Sequence, residues 1–131
     1  MTVKEAIVQA DGLRPNQYSQ EDKLRWLSEV EYSILNDIIY QYLIPMPDWN
    51  KVNPFKPFKP FTEEDFDKEL TAPFPFSRIY PAYIKMKIDE ENQETQRYNV
   101  SAQMYNAYFT DYAKHINEKR IHLGKNSFSI Y

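Results

Sequence analysis

The stretch from residue 83 to residue 116 constrains this chain more than any other. It contains neither Gly nor Pro. Ile84, Ile88, Tyr98, Ala102, Tyr105, Phe109, Tyr112 and Ile116 lie on one stripe in steps of three and four, interrupted by the polar positions Glu91 and Thr95. That spacing predicts one long amphipathic helix or two abutting helices. Unbroken, such a helix spans roughly 50 Å at about 1.5 Å per residue. A compact domain of 131 residues has a radius of gyration of about 14 Å, so it is roughly 36 Å across. Either the helix breaks near Tyr98-Asn99 or it projects beyond its own domain. A projecting Tyr-rich face needs another chain to cover it, so the pattern points to assembly before chemistry.

A chain of this length fits one domain, residues 1–131. Eleven Tyr and eight Phe supply much of the apolar material, and such rings suit interfaces as well as cores. The net charge of −3 gives no general attraction to nucleic acid. Without Cys there is neither a disulfide framework nor thiol chemistry, as is usual for cytosolic proteins. The opening residues lack the apolar core of a signal peptide, and no run approaches a membrane span.

Residues 2–10 read as a first helix, capped by Thr2 with Glu5 completing a capping box and ended by Gly12. Ser19 caps a second helix, with Glu21 and Asp22 in the first turn, where the helix dipole favours acids. Leu24, Leu27, Ile34, Leu35, Ile38, Ile39 and Tyr42 form its apolar face, and Pro45 and Pro47 stop it. The expected partners of Leu27, Ile34, Leu35 and Ile38 are Ile84, Ile88 and Tyr105. In residues 44–61 Pro alternates with aromatics and Lys, which excludes helix and central strand. An extended segment follows. Its rings either lie over the core of their own chain, dock as an arm on a neighbouring subunit, or serve as a Pro-rich ligand for a separate domain. Thr62 caps a short helical turn over residues 63–70 with Asp65, and Ser77 caps the long helix, with Pro81 tolerated in its first turn. The tail is basic. Residues 126–131 alternate polar and apolar, a short strand pattern that finds no partner strand in the chain.

No arrangement here carries catalysis. The two Gly lie far apart, so no phosphate-cradling loop exists, and there is no Gly-x-Ser-x-Gly elbow. Asp111 and His115 share a helical face, but two ligands are too few for a metal site. Glu63, Glu64, Asp65, Asp67 and Glu69 form one acidic group, and Asp89, Glu90, Glu91 and Glu94 another. Both read as solvated faces, except that Glu91, on the apolar stripe, is placed to meet a Lys, Arg or Tyr. Lys51, Lys56 and Lys59 near aromatics offer loose phosphate contact, but no helix bears a basic stripe for sequence-specific nucleic-acid binding. Catalytic, cofactor and metal residues are therefore expected to be absent. The interface candidates are Trp49, Phe55, Phe58 and Phe61 in the Pro/Phe segment. Tyr98, Tyr105, Phe109 and Tyr112 join them on the long helix, and Phe128 and Ile130 in the tail.

Three segments carry a resemblance. The first is Thr2-Val3-Lys4-Glu5-Ala6 with Asp11-Gly12-Leu13-Arg14-Pro15-Asn16 and Lys23-Leu24-Arg25-Trp26-Leu27-Ser28-Glu29-Val30-Glu31. The second is the approach from Glu69-Leu70 to Tyr80. The third and most specific is Ile88-Asp89-x-x-Asn92-x-Glu94 followed by Tyr98-Asn99-x-Ser101-Ala102-x-Met104-Tyr105-Asn106-x-Tyr108. Together they resemble head–tail connector (adaptor, head-completion) proteins of tailed phages and prophages of Gram-positive bacteria. The resemblance spans about two-thirds of the chain. It implies a mostly helical, non-catalytic subunit that assembles as a ring beneath the portal and joins capsid to tail. The partners it implies are other copies of the chain and virion proteins such as portal. The place is the virion, built in the bacterial cytoplasm.

The expected fold is mainly α: a small helical bundle with one long amphipathic helix, a Pro/Phe-rich extended arm (44–61) and a short C-terminal β-strand (126–131). The rival readings are another phage-encoded binding module, a scaffold or small regulator using the Tyr-rich helix, and an enzyme whose sign would be a pocket of convergent titratable groups.

Overall fold

The computed structural model describes residues 1–47 and 50–128, with side chains through Ile121. Helix α1 covers Val3–Leu13 and α2 covers Gln20–Ser33. A wider π-helical segment, Ile34–Ile39, continues α2 into the single turn α3, Tyr40–Tyr42. After the Pro/Phe segment come two short 3₁₀ turns, Glu63–Asp65 and Phe76–Arg78. The chain then enters α4, Ile79–Glu91, and the long α5, Thr95–Phe128.

Local chemistry sets several of these boundaries. The Thr2 hydroxyl accepts the Glu5 backbone N–H at 3.2 Å, and Ser19 accepts that of Asp22 at 3.1 Å. Thr62 and Asp65 form a complete capping box, but the turn they start ends at Asp65 rather than continuing to Leu70. Two other expected boundaries shift. Helix α1 runs through Gly12 to Leu13, because Gly12 keeps an ordinary negative φ and the Arg14 N–H still bonds to Ala10 O at 2.9 Å. Ser77 lies inside a 3₁₀ turn and gives α4 no side-chain cap.

Helix α4 is the centre of the bundle. Ile79, Tyr80, Ala82, Ile84, Met86 and Ile88 are all buried, on more than one side of the helix. An amphipathic surface helix cannot do this; a helix packed on several sides must. Helices α1, α2 and α5 all pack against it.

The long apolar stripe therefore belongs to two helices. The break falls at residues 92–94, not at Tyr98-Asn99. Gln93 takes a left-handed φ of 58°; its N–H bonds to Glu90 O at 3.0 Å and that of Glu94 to Asp89 O at 3.1 Å. This is a Schellman ending with Gln in the place glycine usually takes. The charges favour a break here. Glu90 and Glu91 sit at the end of α4, where the dipole disfavours acids, and Glu94 sits at the start of α5, where it favours them.

Helix α5 turns back along α4 and then outruns it. At about 1.5 Å per residue its 34 residues reach about 51 Å, against about 20 Å for the 13 of α4. Among the described residues the expected C-terminal strand is absent. Residues 126–128 continue α5, and residues 129–131 lie outside the described residues. Extending an existing helix gains a hydrogen bond per residue, whereas a strand with no edge to pair with gains none. Among the described residues the only β pairing is the isolated bridge between Thr2 and Glu69.

The Pro/Phe segment is not an outstretched arm. Its rings fold onto their own chain: Phe58 meets Tyr32 edge-to-face at 5.8 Å, Phe55 meets Tyr40 at 6.4 Å, and Phe58 meets Phe61 at 5.9 Å. The Phe61 N–H donates to Ser28 Oγ at 2.8 Å, and the Asn53 amide donates to Asn36 Oδ1 at 2.7 Å. Of the three roles open to this segment, the cover over its own core is the one observed.

Leu27, Ile34, Ile38, Ile84 and Ile88 share one core cluster, with Tyr105 packed against it. Leu35 is only half-buried and lies outside the cluster, while Trp26 and Val30, off the predicted face, are buried in it. The π segment explains the Leu35 miss, since its wider turn changes the angle between successive side chains. Ile34→Ala should cost about 2–5 kcal/mol. Leu35→Ala should cost clearly less. Urea unfolding of the two variants checks the order, and equal losses would contradict the packing.

Candidate functional site

The interface candidates are divided by the structure. Phe61 and Tyr112 are buried within the chain. Phe55 and Phe58 are half-buried against α2 and α3, and Tyr98, Tyr105 and Phe109 are half-buried along α5. Tyr105 stands between Tyr83 at 5.0 Å and Phe109 at 5.8 Å. The Tyr-rich face is thus mostly the seam between α4 and α5, not a bare surface. Burial pushes the Tyr105 phenol up to about 12, helped by the negative charge of Asp37. Trp49 and Ile130 lie outside the described residues, as does the side chain of Phe128.

The polar groups that organise the molecule were not among the candidates. Asp89 is fully buried at the end of α4. Arg14, just past α1, reaches it with Nη2 donating to Oδ2 at 3.2 Å. Its Nε lies 2.8 Å from Oδ1, a charge contact rather than an aligned hydrogen bond. The Ser101 hydroxyl of α5 also donates to Oδ2. One carboxylate thereby ties three helices together. Glu91, the acid expected to find a partner, is exposed.

A second buried carboxylate fastens the crossover from α2 to α4. Tyr80 Oη donates to Glu31 Oε1 at 2.7 Å, and the Thr71 N–H donates to Oε2 at 3.0 Å. Tyr80 Oη in turn accepts the Ala72 N–H at 2.8 Å. Burial pushes the Glu31 carboxyl above its ordinary value, against the downward pull of these hydrogen bonds. A buried cation is matched too: Lys23 lies 2.8 Å from Asp11. Asp111 and His115, which share a helical face, take other partners. Asp111 faces Arg78 at 3.7 Å, and His115 stacks on Phe76 at 4.6 Å.

These charged groups are paired with one another, and Asp89 also borders a cleft of about 280 Å³ with Glu90, Glu94 and Tyr98. A groove of about 680 Å³ runs between α2 and the Pro/Phe segment and is lined mainly by Tyr32, Val52, Pro57, Phe58 and Pro60. A second, about 550 Å³, runs between α1 and the Thr62 turn. Among the described residues no three His, Cys, Asp or Glu side chains are grouped to hold a metal, and no helix is long and apolar enough to cross a membrane. Exposed apolar side chains include Val52 in the first groove and Val8 in the second, and away from both grooves Phe74 between two prolines, Leu13 on α1, and Val100 and Ile121 on α5. No family model, curated protein or solved structure matches this chain.

Two outcomes test the buried network. Asp89→Asn leaves the Arg14 charge without its counter-ion and should cost about 3 kcal/mol in urea unfolding. Arg14→Met combined with Asp89→Asn should recover part of that loss, because the two sites are coupled. For Glu31 the sign follows from proton binding. Its raised folded pKa means the native state holds the proton more tightly than the unfolded chain, whose value is near the ordinary 4.5. Stability should therefore increase as pH falls from neutrality toward 4.5 and decrease as pH rises through the folded pKa. Glu31→Gln should remove that component of the pH profile.

Proposed function

We propose that this chain is a non-catalytic structural subunit of a tailed-phage or prophage virion. In this reading it is a head–tail connector that assembles as a ring under the portal and joins capsid to tail. The observation that carries the reading is the length of α5 relative to the body. The helix is anchored through Tyr112 and Ile116, which are buried, and then continues for three further turns to Phe128. Lys119, Arg120 and Ile121 on those turns are exposed. A lone helix end of that length gains little from ordering in water, because most helical stability in proteins comes from tertiary packing. A neighbour in an assembly supplies that packing.

The sequence pattern around Ile88-Asp89 and Tyr98–Tyr108 supports the same reading and acquires a physical sense. Asp89 and Ser101 both lie in that pattern and hold the α4–α5 corner. A wedge that repeats around a ring needs a rigid corner, since small angular errors accumulate over a closed circle. The alternative, a scaffold or small regulator using the Tyr-rich helix face, has less to work with, because that face is already half-covered by α4. Partners in the connector reading are other copies of the chain and the portal, and the site of action is the virion assembled in the bacterial cytoplasm.

Light scattering and negative-stain microscopy of the chain, alone and mixed with a tailed-phage portal protein, provide the test. Rings, or a stoichiometric complex with portal, are expected. A chain that stays monomeric at high concentration and ignores portal would overturn the proposal.

A further inference from the structure

Two uncovered surfaces of this chain complement each other. The first is the groove of about 550 Å³ between α1 and the Thr62 turn. Ile7, Val8 and Phe66 give it an apolar lining, and Val8 is 59% exposed. Glu63, Glu64 and Asp67 stand on its rim, all exposed. Their carboxylates enter no ion pair or hydrogen bond among the described residues. Asp11, also in the lining, is already neutralised by Lys23 at 2.8 Å; Lys4 is the cation beside it.

The second surface is the overhanging end of α5. Lys119 and Arg120 are exposed there without an ion pair among the described residues, next to Ile121, which is 53% exposed. An apolar groove with a negative rim thus faces the problem inverse to that of an apolar residue beside two positive ones. Among the described residues no ion pair or hydrogen bond joins the two surfaces within one chain, so each is free to serve another copy.

The geometry points to a subunit interface in which the overhanging end of α5 from one copy lies in the α1 groove of the next. Ile121 packs against Val8 and Phe66, while Lys119 and Arg120 face Glu63 and Glu64. The occupant is a second copy of this chain, chosen by charge complementarity and by the exposed apolar residue on each side. Because the two patches differ, the contact is head-to-tail. Such contacts propagate until they close into a ring or continue as a filament. This inference rests on the connector reading and adds the surface through which subunits join. Opposed charges at the rim set register and partner choice, and the apolar contact supplies the burial.

Charge reversal tests it on the full chain. Glu63→Lys with Glu64→Lys alters only the groove, and Lys119→Glu with Arg120→Glu alters only the helix end. All four positions are exposed, so circular dichroism and melting should match the wild type. Each double variant should lose self-association, measured by light scattering alone or on portal, by more than about tenfold. Mixed one to one, the two variants repel their own kind, while both contacts between unlike variants are attractive. The expected product is an assembly in which the two variants alternate, each charge-reversed helix end in a charge-reversed groove and each unaltered end in an unaltered groove. The chain carrying all four changes should assemble again. Wild-type association should weaken as salt is raised. Rings that survive both double variants overturn this interface and leave the connector reading standing. A chain that neither self-associates nor assembles on portal overturns both.

Discussion

A carboxylate stripped of water at the meeting point of three helices is the constraint on which this fold depends. Asp89 cannot remain charged in an apolar corner without partners, and its partners come from elsewhere in the chain. Arg14 supplies the positive charge after α1, and Ser101 supplies a donor from α5. The carboxylate therefore fixes where α1 ends, where α4 stops and at what height α5 runs back. The left-handed Gln93 and the Schellman bonds turn the chain immediately beyond it. Hydrophobic burial holds the helices together, but burial has no direction. The buried charge chooses one arrangement among the many that would bury similar area.

The same logic operates at the other end of α4. Glu31 takes the Thr71 N–H and the Tyr80 hydroxyl, and Tyr80 takes the Ala72 N–H. A loop rich in proline has few donors of its own, yet those it has must be satisfied when buried. Ser28 plays a comparable part for Phe61, whose N–H it accepts while donating its own proton to Leu24 O at 2.7 Å. Helix α2 thus offers two polar anchors: Ser28 holds the end of the Pro/Phe segment, and Glu31 holds the approach to α4.

What the sequence made legible was local. The caps at Thr2, Ser19 and Thr62 work within three residues, so the signal and its effect lie side by side. Helical character followed from periodicity for the same reason. The burial of Asp89 was hidden because it stands in a run of acids and its cation is 75 positions away. Lys23, Glu31 and Tyr80 were hidden alike, each looking like an ordinary surface or core residue until a distant partner is placed. The rings at Phe55 and Phe58 could serve their own core or a neighbour's equally well by composition; only the positions of Tyr32 and Tyr40 decide. The tail's alternation was too short to outweigh the helix already running into it.

The π-helical segment Ile34–Ile39 makes chain length itself part of the design. A π turn amounts to a helix that has accepted an extra residue without unwinding. Upstream, α2 presents Leu27 and Val30 to the core; downstream, Tyr40 presents its ring to Phe55. The added residue sets the phase between these two faces. Removing any one residue from the segment would let it relax to an ordinary helix while rotating everything after it by about 100°, a full helical step. Insertions and deletions, usually confined to loops, therefore have a meaning inside this helix: the count of residues, more than their identity, keeps its two halves pointing at their separate partners.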